Sequence, residues 1–226
     1  MSARHGLIFD VDGVIADTEA VNAAASIRMF RELFELTGVK REDFAAGLGR
    51  GAAAYVRAAA DKHGLTLSDE QVERATARRQ QLFLEMLAEN PLPAFPGVLE
   101  LMNAALSDEA WRVAIATSST REKSIAVLQS ARVPVERMAY VTGSDVTHKK
   151  PDPELFLTAA GRLAIEPGTC VVIEDAPDGV AAAHAAGCRC VAVTNSAPAD
   201  ALSAAERVVA SLTEVGLDEL RQMLQS

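Results

Sequence analysis

The sequence predicts an α/β protein in which a doubly wound, Rossmann-like parallel sheet carries an inserted all-helical domain. From Pro96 onward, short apolar runs alternate with amphipathic segments, which is typical of parallel strands joined by crossover helices. Residues 19–93 show helical periodicity without a strand signal, and a short apolar run, Leu7–Phe9, precedes them. The first strand therefore belongs to the later sheet. We predict a core of residues 1–18 and 94–226 and a helical domain of residues 19–93.

Local signals place the individual elements. Ser68 followed by Gln71 is a capping-box pattern, Asp152 before Pro153 is a good helix start, and Asp178 is expected to cap a helix at Gly179. After the first strand, the predicted strands are Arg112–Ala116, Ala139–Thr142, Cys170–Ile173, Cys190–Val193 and Arg207–Val209. The predicted helices run from Glu19 to near Gly38, then over 52–63, 68–90, 98–107, 120–131, 153–163 and 179–186.

Composition excludes several classes of function. The net charge of −9 argues against a nucleic-acid partner, and no apolar run reaches the length of about 18 residues that a membrane span needs. Three cysteines without metal-ligand spacing indicate reduced thiols, and no secretory signal fits before the first strand, so we expect a cytoplasmic location. We expect a monomer or a weak dimer.

Two acidic pairs follow predicted strands. Asp10 and Asp12 come after the first strand and share a face of the extended chain, before Gly13 breaks it. Glu174 and Asp175 directly follow another apolar strand. An isolated Asp-x-Asp-Gly is often a surface turn. However, carboxylates crowded at the mouths of buried strands repel each other unless a cation lies there, and oxygen ligands favour Mg²⁺.

Two further segments lie at strand ends of the same sheet. Thr117, Ser118 and Ser119 follow one strand and precede a helix, which suits an anion but equally suits ordinary helix capping. Lys149 and Lys150 precede Pro151 and are either solvated loop residues or part of a site. Because ligands bind at the carboxyl ends of the strands in such sheets, all four groups are candidates for one site.

The four segments together resemble the motifs of the haloacid dehalogenase-like hydrolase superfamily, in particular its branch of sugar phosphatases and β-phosphoglucomutase. The first motif is Phe9-Asp10-Val11-Asp12-Gly13-Val14, and the resemblance extends over nearly the whole chain. It implies a Mg²⁺-dependent phosphatase acting on a small phosphorylated metabolite, such as a sugar phosphate, through an aspartyl-phosphate. The alternative is a phosphosugar mutase of the β-phosphoglucomutase type.

The resemblance also implies roles for single residues. Asp10 is the nucleophile, Asp12 the general acid and base, and Thr117 and Lys150 hold the phosphate oxygens. The Mg²⁺ ligands are Asp10, the main-chain carbonyl of Asp12, and Asp175, while Glu174 binds through water or orients Lys150. Lys149 is then an exposed neighbour of Lys150.

The helical domain resembles the family's cap, which closes over the site and contacts the substrate. Arg50 and Arg79 match positions of cap residues that bind a phosphosugar, and Asn22 and Ser118 are further substrate-binding candidates. Arg78 and Arg79 could equally form a solvated helix face.

Asn22 stands where the mutases carry histidine, and Thr120-Arg121 replaces their Lys-Asn, so the phosphatase is favoured. Asp12 argues against a dehalogenase, the absence of a lysine near Arg50 against a phosphonate hydrolase, and the helical insertion against a receiver-type module.

Overall fold

The computed structural model describes residues 5–47 and 51–225. Its centre is a six-stranded sheet with the strand order β3-β2-β1-β4-β5-β6, and every pair of neighbouring strands is parallel. The strands are β1 (His5–Phe9), β2 (Trp111–Ala116), β3 (Ala139–Val141), β4 (Cys170–Glu174), β5 (Arg189–Val193) and β6 (Arg207–Val209). The chain folds into two compact units, Met1–Asp17 with Leu92–Ser226, and Thr18–Pro91.

The sheet unit contains the connecting helices of the α/β fold. They are α4 (Val98–Ser107), α5 (Arg121–Ser130), α6 (Glu154–Leu163), α7 (Pro177–Ala185) and α8 (Leu217–Met223). The apolar residues Leu7, Ile8 and Phe9 of β1 are completely buried, as expected for a central parallel strand that is covered on both faces. The α/β fold class predicted from the sequence is confirmed.

The helical unit consists of α1 (Thr18–Phe34), α2 (Ala52–Lys62) and α3 (Asp69–Glu89), with a 3₁₀ helix at Arg41–Gly47. The predicted capping box at the start of α3 is present: the Ser68 hydroxyl accepts from the Gln71 main-chain N–H, and the Gln71 side chain accepts from the Ser68 N–H. Phe30 and Phe44 are buried in this unit, and the rings of Phe44 and Tyr55 stack with 4.5 Å between their centroids.

Two helix starts differ from the prediction. Helix α7 begins at Pro177, so Asp178 lies inside its first turn and does not cap it at Gly179. Proline is suited to the first helical position because its φ angle is already helical and it has no N–H to satisfy. Helix α6 begins at Glu154, one residue after Pro153, and the Asp152 carboxylate accepts a hydrogen bond from the Glu154 N–H at 2.9 Å.

The register of the central strands aligns their carboxyl ends. Phe9 in β1 pairs with Ile115 in β2 and with Ile173 in β4. Asp10, which directly follows β1, and Glu174, the last residue of β4, therefore lie at the same level of the sheet. The Asp10 N–H donates to the Ile173 carbonyl at 3.1 Å, which continues the ladder by one more bond. Packing of apolar strands thus brings two acids that are far apart in sequence to one edge.

Candidate active site

Three buried carboxylates lie together where β1 and β4 end. Asp10, Glu174 and Asp175 each offer an oxygen within 4.8 Å of the others, and their exposed fractions are 5%, 1% and 4%. Carboxylates are the hard oxygen ligands that Mg²⁺ prefers. Three such groups in a buried site carry more negative charge than one lysine can neutralise, so the donor set fits a divalent cation.

Lys150 joins two of these carboxylates. Its ammonium group donates to the Asp10 carboxylate at 2.6 Å and also to that of Glu174, and the lysine side chain is 12% exposed. The same ammonium group lies 5.0 Å from the centroid of the Phe156 ring. In contrast, Lys149 is exposed. The structure therefore distinguishes the two neighbouring lysines by burial and by partner.

Burial and charge shift the proton affinities of these groups. Burial is the main cause that raises the pKa of Asp10 to about 7; Lys150 opposes this increase, and Glu174 and Asp12 add to it. Burial also raises the pKa of Asp175, and Glu174 and Asp10 reinforce that effect. Burial alone would lower the pKa of Lys150, but the carboxylates of Asp10 and Glu174 outweigh it and raise the pKa. Lys150 therefore stays charged near neutral pH.

Glycines allow the chain to pass close to the carboxylates. Gly13 has a φ of +79°, and a Cβ atom there would lie 1.8 Å from Oδ2 of Asp175. A Cβ atom on Gly179 would lie 2.0 Å from the carboxyl carbon of Glu174. Any larger residue at either position would displace an acid of the cluster. The Asn195 side chain also donates to the Gly13 carbonyl at 2.8 Å, which fixes this turn.

Asp12 lies in a different environment from Asp10. Its side chain is 30% exposed, and it accepts hydrogen bonds from the Ser119 hydroxyl at 2.6 Å and from the Lys123 ammonium group at 2.7 Å. Lys123 belongs to none of the motifs recognised in the sequence. It lies in the first turn of α5, whose N-cap is Thr120, and charged residues are common on such helices. The sequence gives no signal that this lysine reaches back to the first motif.

The hydroxyl residues of the second motif follow β2. Thr117 is 1% exposed, its N–H donates to the Val141 carbonyl at 3.1 Å, and its hydroxyl oxygen accepts from the Ser119 N–H at 3.1 Å. Ser118 is partly exposed. Both residues follow the carboxyl end of β2, which is the end of the sheet where β1 and β4 also terminate.

The remaining candidates belong to the helical unit. Asn22 lies in α1, and Arg79 lies in α3 with its guanidinium carbon 5.1 Å from the centroid of the Tyr55 ring. Arg78 forms ion pairs with Glu32 of α1 and with Glu85 of α3, and its side chain is 24% exposed. Arg50 lies outside the described residues.

Comparison with known proteins identifies the family. The haloacid dehalogenase-like hydrolase family matches residues 5–187. The chain therefore belongs to the haloacid dehalogenase-like hydrolases, and relatives named as phosphatases indicate that it is a phosphatase of this family.

Among its relatives is validoxylamine A 7′-phosphate phosphatase of Streptomyces hygroscopicus subsp. limoneus, 32% identical, with 92% of this chain and 94% of the relative covered. Protein CbbY of Rhodobacter capsulatus is 34% identical, with 82% and 83% covered. The chain spans only 17% of the Arabidopsis thaliana protein SUPPRESSOR OF QUENCHING 1, to which it is 33% identical over 83% of its own length.

Solved structures agree in fold. A haloacid dehalogenase-like hydrolase of Entamoeba histolytica matches with a TM-score of 0.85 and 19% identity, covering 100% of both chains. A CbbY variant from Rhodobacter sphaeroides in complex with xylulose-1,5-bisphosphate matches with a TM-score of 0.84 and 24% identity, covering 96% of this chain and 99% of the other. No helix within 5–47 and 51–225 is long and apolar enough to cross a membrane.

Proposed function

We propose that the protein is a Mg²⁺-dependent phosphatase that removes phosphate from a small phosphorylated metabolite, in particular a sugar phosphate. The observation that carries the proposal is the contact of Lys150 with Asp10 inside a buried cluster of three carboxylates. A carboxylate without a role in a site would remain on the surface, where water solvates it and no lysine partner is needed. The sugar-phosphate substrate rests on the relatives, whose names include a phosphatase of a phosphorylated sugar-like compound.

The residues of the site divide the reaction between them. Asp10, Asp175 and the main-chain carbonyl of Asp12 are the proposed Mg²⁺ ligands, and Glu174 acts through Lys150 or a bound water. The cation, when bound, supplies positive charge that lets a phosphate dianion enter a site lined with carboxylates. Lys150 and Thr117 hold the non-bridging phosphate oxygens, so that charge developing on them in the transition state is stabilised.

Two aspartates carry out the bond changes. Asp10 attacks phosphorus, the bond from phosphorus to the ester oxygen breaks, and Asp12 gives its proton to that leaving oxygen. Asp12 then takes a proton from a water molecule as this water attacks the aspartyl-phosphate, and the bond from phosphorus to the Asp10 oxygen breaks. Inorganic phosphate leaves, and both aspartates return to their starting state. Their environments suit this division, since Asp10 is buried beside Lys150 and Asp12 is accessible to solvent.

The helical unit is proposed to act as the substrate-contacting cap, with Asn22, Arg50 and Arg79 as its substrate-binding residues and Ser118 as their counterpart in the core. We propose a monomer or weak dimer in the cytoplasm. The three cysteines are free and buried, which is compatible with a reducing compartment.

The phosphatase proposal is tested by measuring phosphate release from a panel of phosphorylated metabolites, with and without Mg²⁺. We expect turnover of one or more sugar phosphates that EDTA abolishes and Mg²⁺ restores. An absence of release from the whole panel in Mg²⁺ would contradict the proposal.

A phosphomutase is the second candidate, because β-phosphoglucomutase of Bacillus subtilis is 28% identical over 96% of this chain. A mutase must protect its aspartyl-phosphate from water until a sugar hydroxyl arrives. Asn22 can form hydrogen bonds but cannot carry a proton at neutral pH, unlike the histidine at this position in the mutases. We therefore expect the phosphoenzyme to hydrolyse promptly.

The two functions are separated by supplying β-glucose 1-phosphate with a trace of β-glucose 1,6-bisphosphate and following both products. The phosphatase releases inorganic phosphate and forms little glucose 6-phosphate. Rapid formation of glucose 6-phosphate with negligible phosphate release would establish the mutase instead.

A further inference from the structure

A concave surface lies at the amino ends of the strands, opposite the end that carries the candidate active site. It is a cleft of about 430 Å³ between the amino ends of β2 and β3 and the carboxyl ends of α4 and α6. Trp111 and the three arginines Arg112, Arg137 and Arg162 line it, and we refer to it as the arginine cleft. Trp111 begins the strand that leads to Thr117, so the cleft is on the order of 20 Å from the candidate active site.

The arginines of the cleft are held by main-chain carbonyls. Arg112 donates to the Leu163 carbonyl at 3.0 Å, and Arg137 donates to the Leu106 carbonyl at 3.2 Å. Among the contacts of the described residues, neither of these two guanidinium groups lies in an ion pair. Because a guanidinium group has five N–H donors, one carbonyl contact fixes its position and leaves donors for a ligand.

Among the described residues that line the cleft, three are arginines and none is acidic. Arg162 pairs with Asp145 at 2.9 Å, but Asp145 also pairs with Arg121 at 3.0 Å, so one carboxylate serves two guanidinium groups. By comparison, Arg207 at the start of β6 has its own partner in Glu219 at 3.1 Å. A local excess of arginine in a chain of net charge −9 points to an anionic ligand more than to general surface charge.

Trp111 lines the cleft together with the arginines. The residue is 4% exposed, and within residues 5–47 and 51–225 its buried indole nitrogen has no hydrogen-bond partner. A buried N–H group without an acceptor is unfavourable, and such groups commonly mark the place of a water or an ion. An oxyanion in the cleft would supply acceptors to the arginines, and the indole group of Trp111 beside it would report the binding.

We propose that the arginine cleft binds a small organic oxyanion, a phosphate or carboxylate compound of more than one negative charge. The planar guanidinium fork matches both phosphate and carboxylate oxygens, and the cleft volume lies in the range of small-molecule sites. The site is separate from the catalytic one, so the proposal is independent of the proposed function.

The single tryptophan of the chain allows a direct test. The indole N–H resonance of ¹⁵N-labelled full-length protein is followed during titration with pyrophosphate and, separately, with citrate, at constant ionic strength set by sodium chloride. We expect a saturable shift with at least one of the two anions. A response to pyrophosphate alone assigns the site to phosphate compounds, and a response to citrate alone assigns it to carboxylates.

Substitutions locate the binding site. Arg112→Gln and Arg137→Gln each remove a charged donor and should weaken the saturable shift by about tenfold or more. Arg207→Gln removes an exposed arginine from the same end of another strand and should leave the titration unchanged, as should Lys150→Ala in the catalytic site. The two cleft variants are made separately, so that one remains if the other fails to fold.

Three results would overturn the proposal. These are the absence of a saturable shift with both anions, a shift that sodium chloride alone reproduces, and a shift that is equal in wild-type protein and in both cleft variants.

Discussion

Charged side chains lie together at both ends of the parallel strands, and they are acidic at the carboxyl end and basic at the amino end. At the carboxyl edge, Asp10, Glu174 and Asp175 are buried around Lys150. At the amino edge, Arg112, Arg137 and Arg162 surround an open cleft. The acids lie at or just after the carboxyl ends of strands, where the parallel register brings them together, whereas the arginines come from a strand start, a 3₁₀ helix and a helix end. Burial distinguishes the two sets most clearly: the acids are hidden from solvent, and the arginines are exposed.

Removing the proposed nucleophile tests the carboxyl edge most severely. Asp10→Asn has nearly the same shape but cannot form the aspartyl-phosphate, so kcat for phosphate release should fall on the order of 10⁴-fold or more. The measurement uses p-nitrophenyl phosphate in Mg²⁺, and Asp200→Asn, at an exposed position, is the control. Near wild-type turnover of the Asp10→Asn protein would contradict the mechanism.

The neighbouring lysines give the next largest effect. Lys150 contacts the buried Asp10 carboxylate, whereas Lys149 is exposed. Lys150→Ala should lower kcat/KM by about 10²-fold or more, because it removes a charged contact to the transition state. Lys149→Ala is the matched control and should change kcat/KM little. Equal mild losses would mean that both lysines are solvated loop residues.

Mg²⁺ should stabilise the fold through the carboxylate cluster. Binding to the native state alone adds about 2.7 kcal/mol at a concentration one hundred times Kd, which raises Tm. Asp175→Asn removes a ligand and one buried charge, so this variant should show a reduced response to Mg²⁺ in thermal unfolding. A wild-type Tm that is the same in Mg²⁺ and in EDTA would contradict a metal site here.

Two helical glycines provide a matched pair for the packing around Glu174. Gly179→Ala places a Cβ atom against the Glu174 carboxyl group and should destabilise the protein by about 1–3 kcal/mol. Gly161→Ala in α6 meets no atom within 4 Å and should stabilise it by about 0.5–1 kcal/mol. Denaturant unfolding measures both. A stabilising Gly179→Ala substitution would show that the Glu174 carboxyl group does not need this glycine.

Elements in which local signals and periodicity agree are predictable from the sequence. The apolar runs and the helical periodicity predicted the six parallel strands and the fold class. Helix starts are less predictable: Asp178 was predicted to cap a helix at Gly179, but α7 begins at Pro177. Helix caps depend on a balance between competing side chains and prolines that one motif does not resolve.

Apolar runs in the sequence are sufficient to place Asp10 and Glu174 at the ends of strands, since strand ends can be recognised from the residues next to them. The sequence does not show which lysines contact these acids or which arginines line the arginine cleft. Lys123 contacts Asp12 across 111 positions of sequence, and the arginines of the cleft come from three separate elements. Only the packing of helices on the sheet decided these contacts, because a flexible lysine or arginine has no spacing rule and its direction is set by the surface beside it.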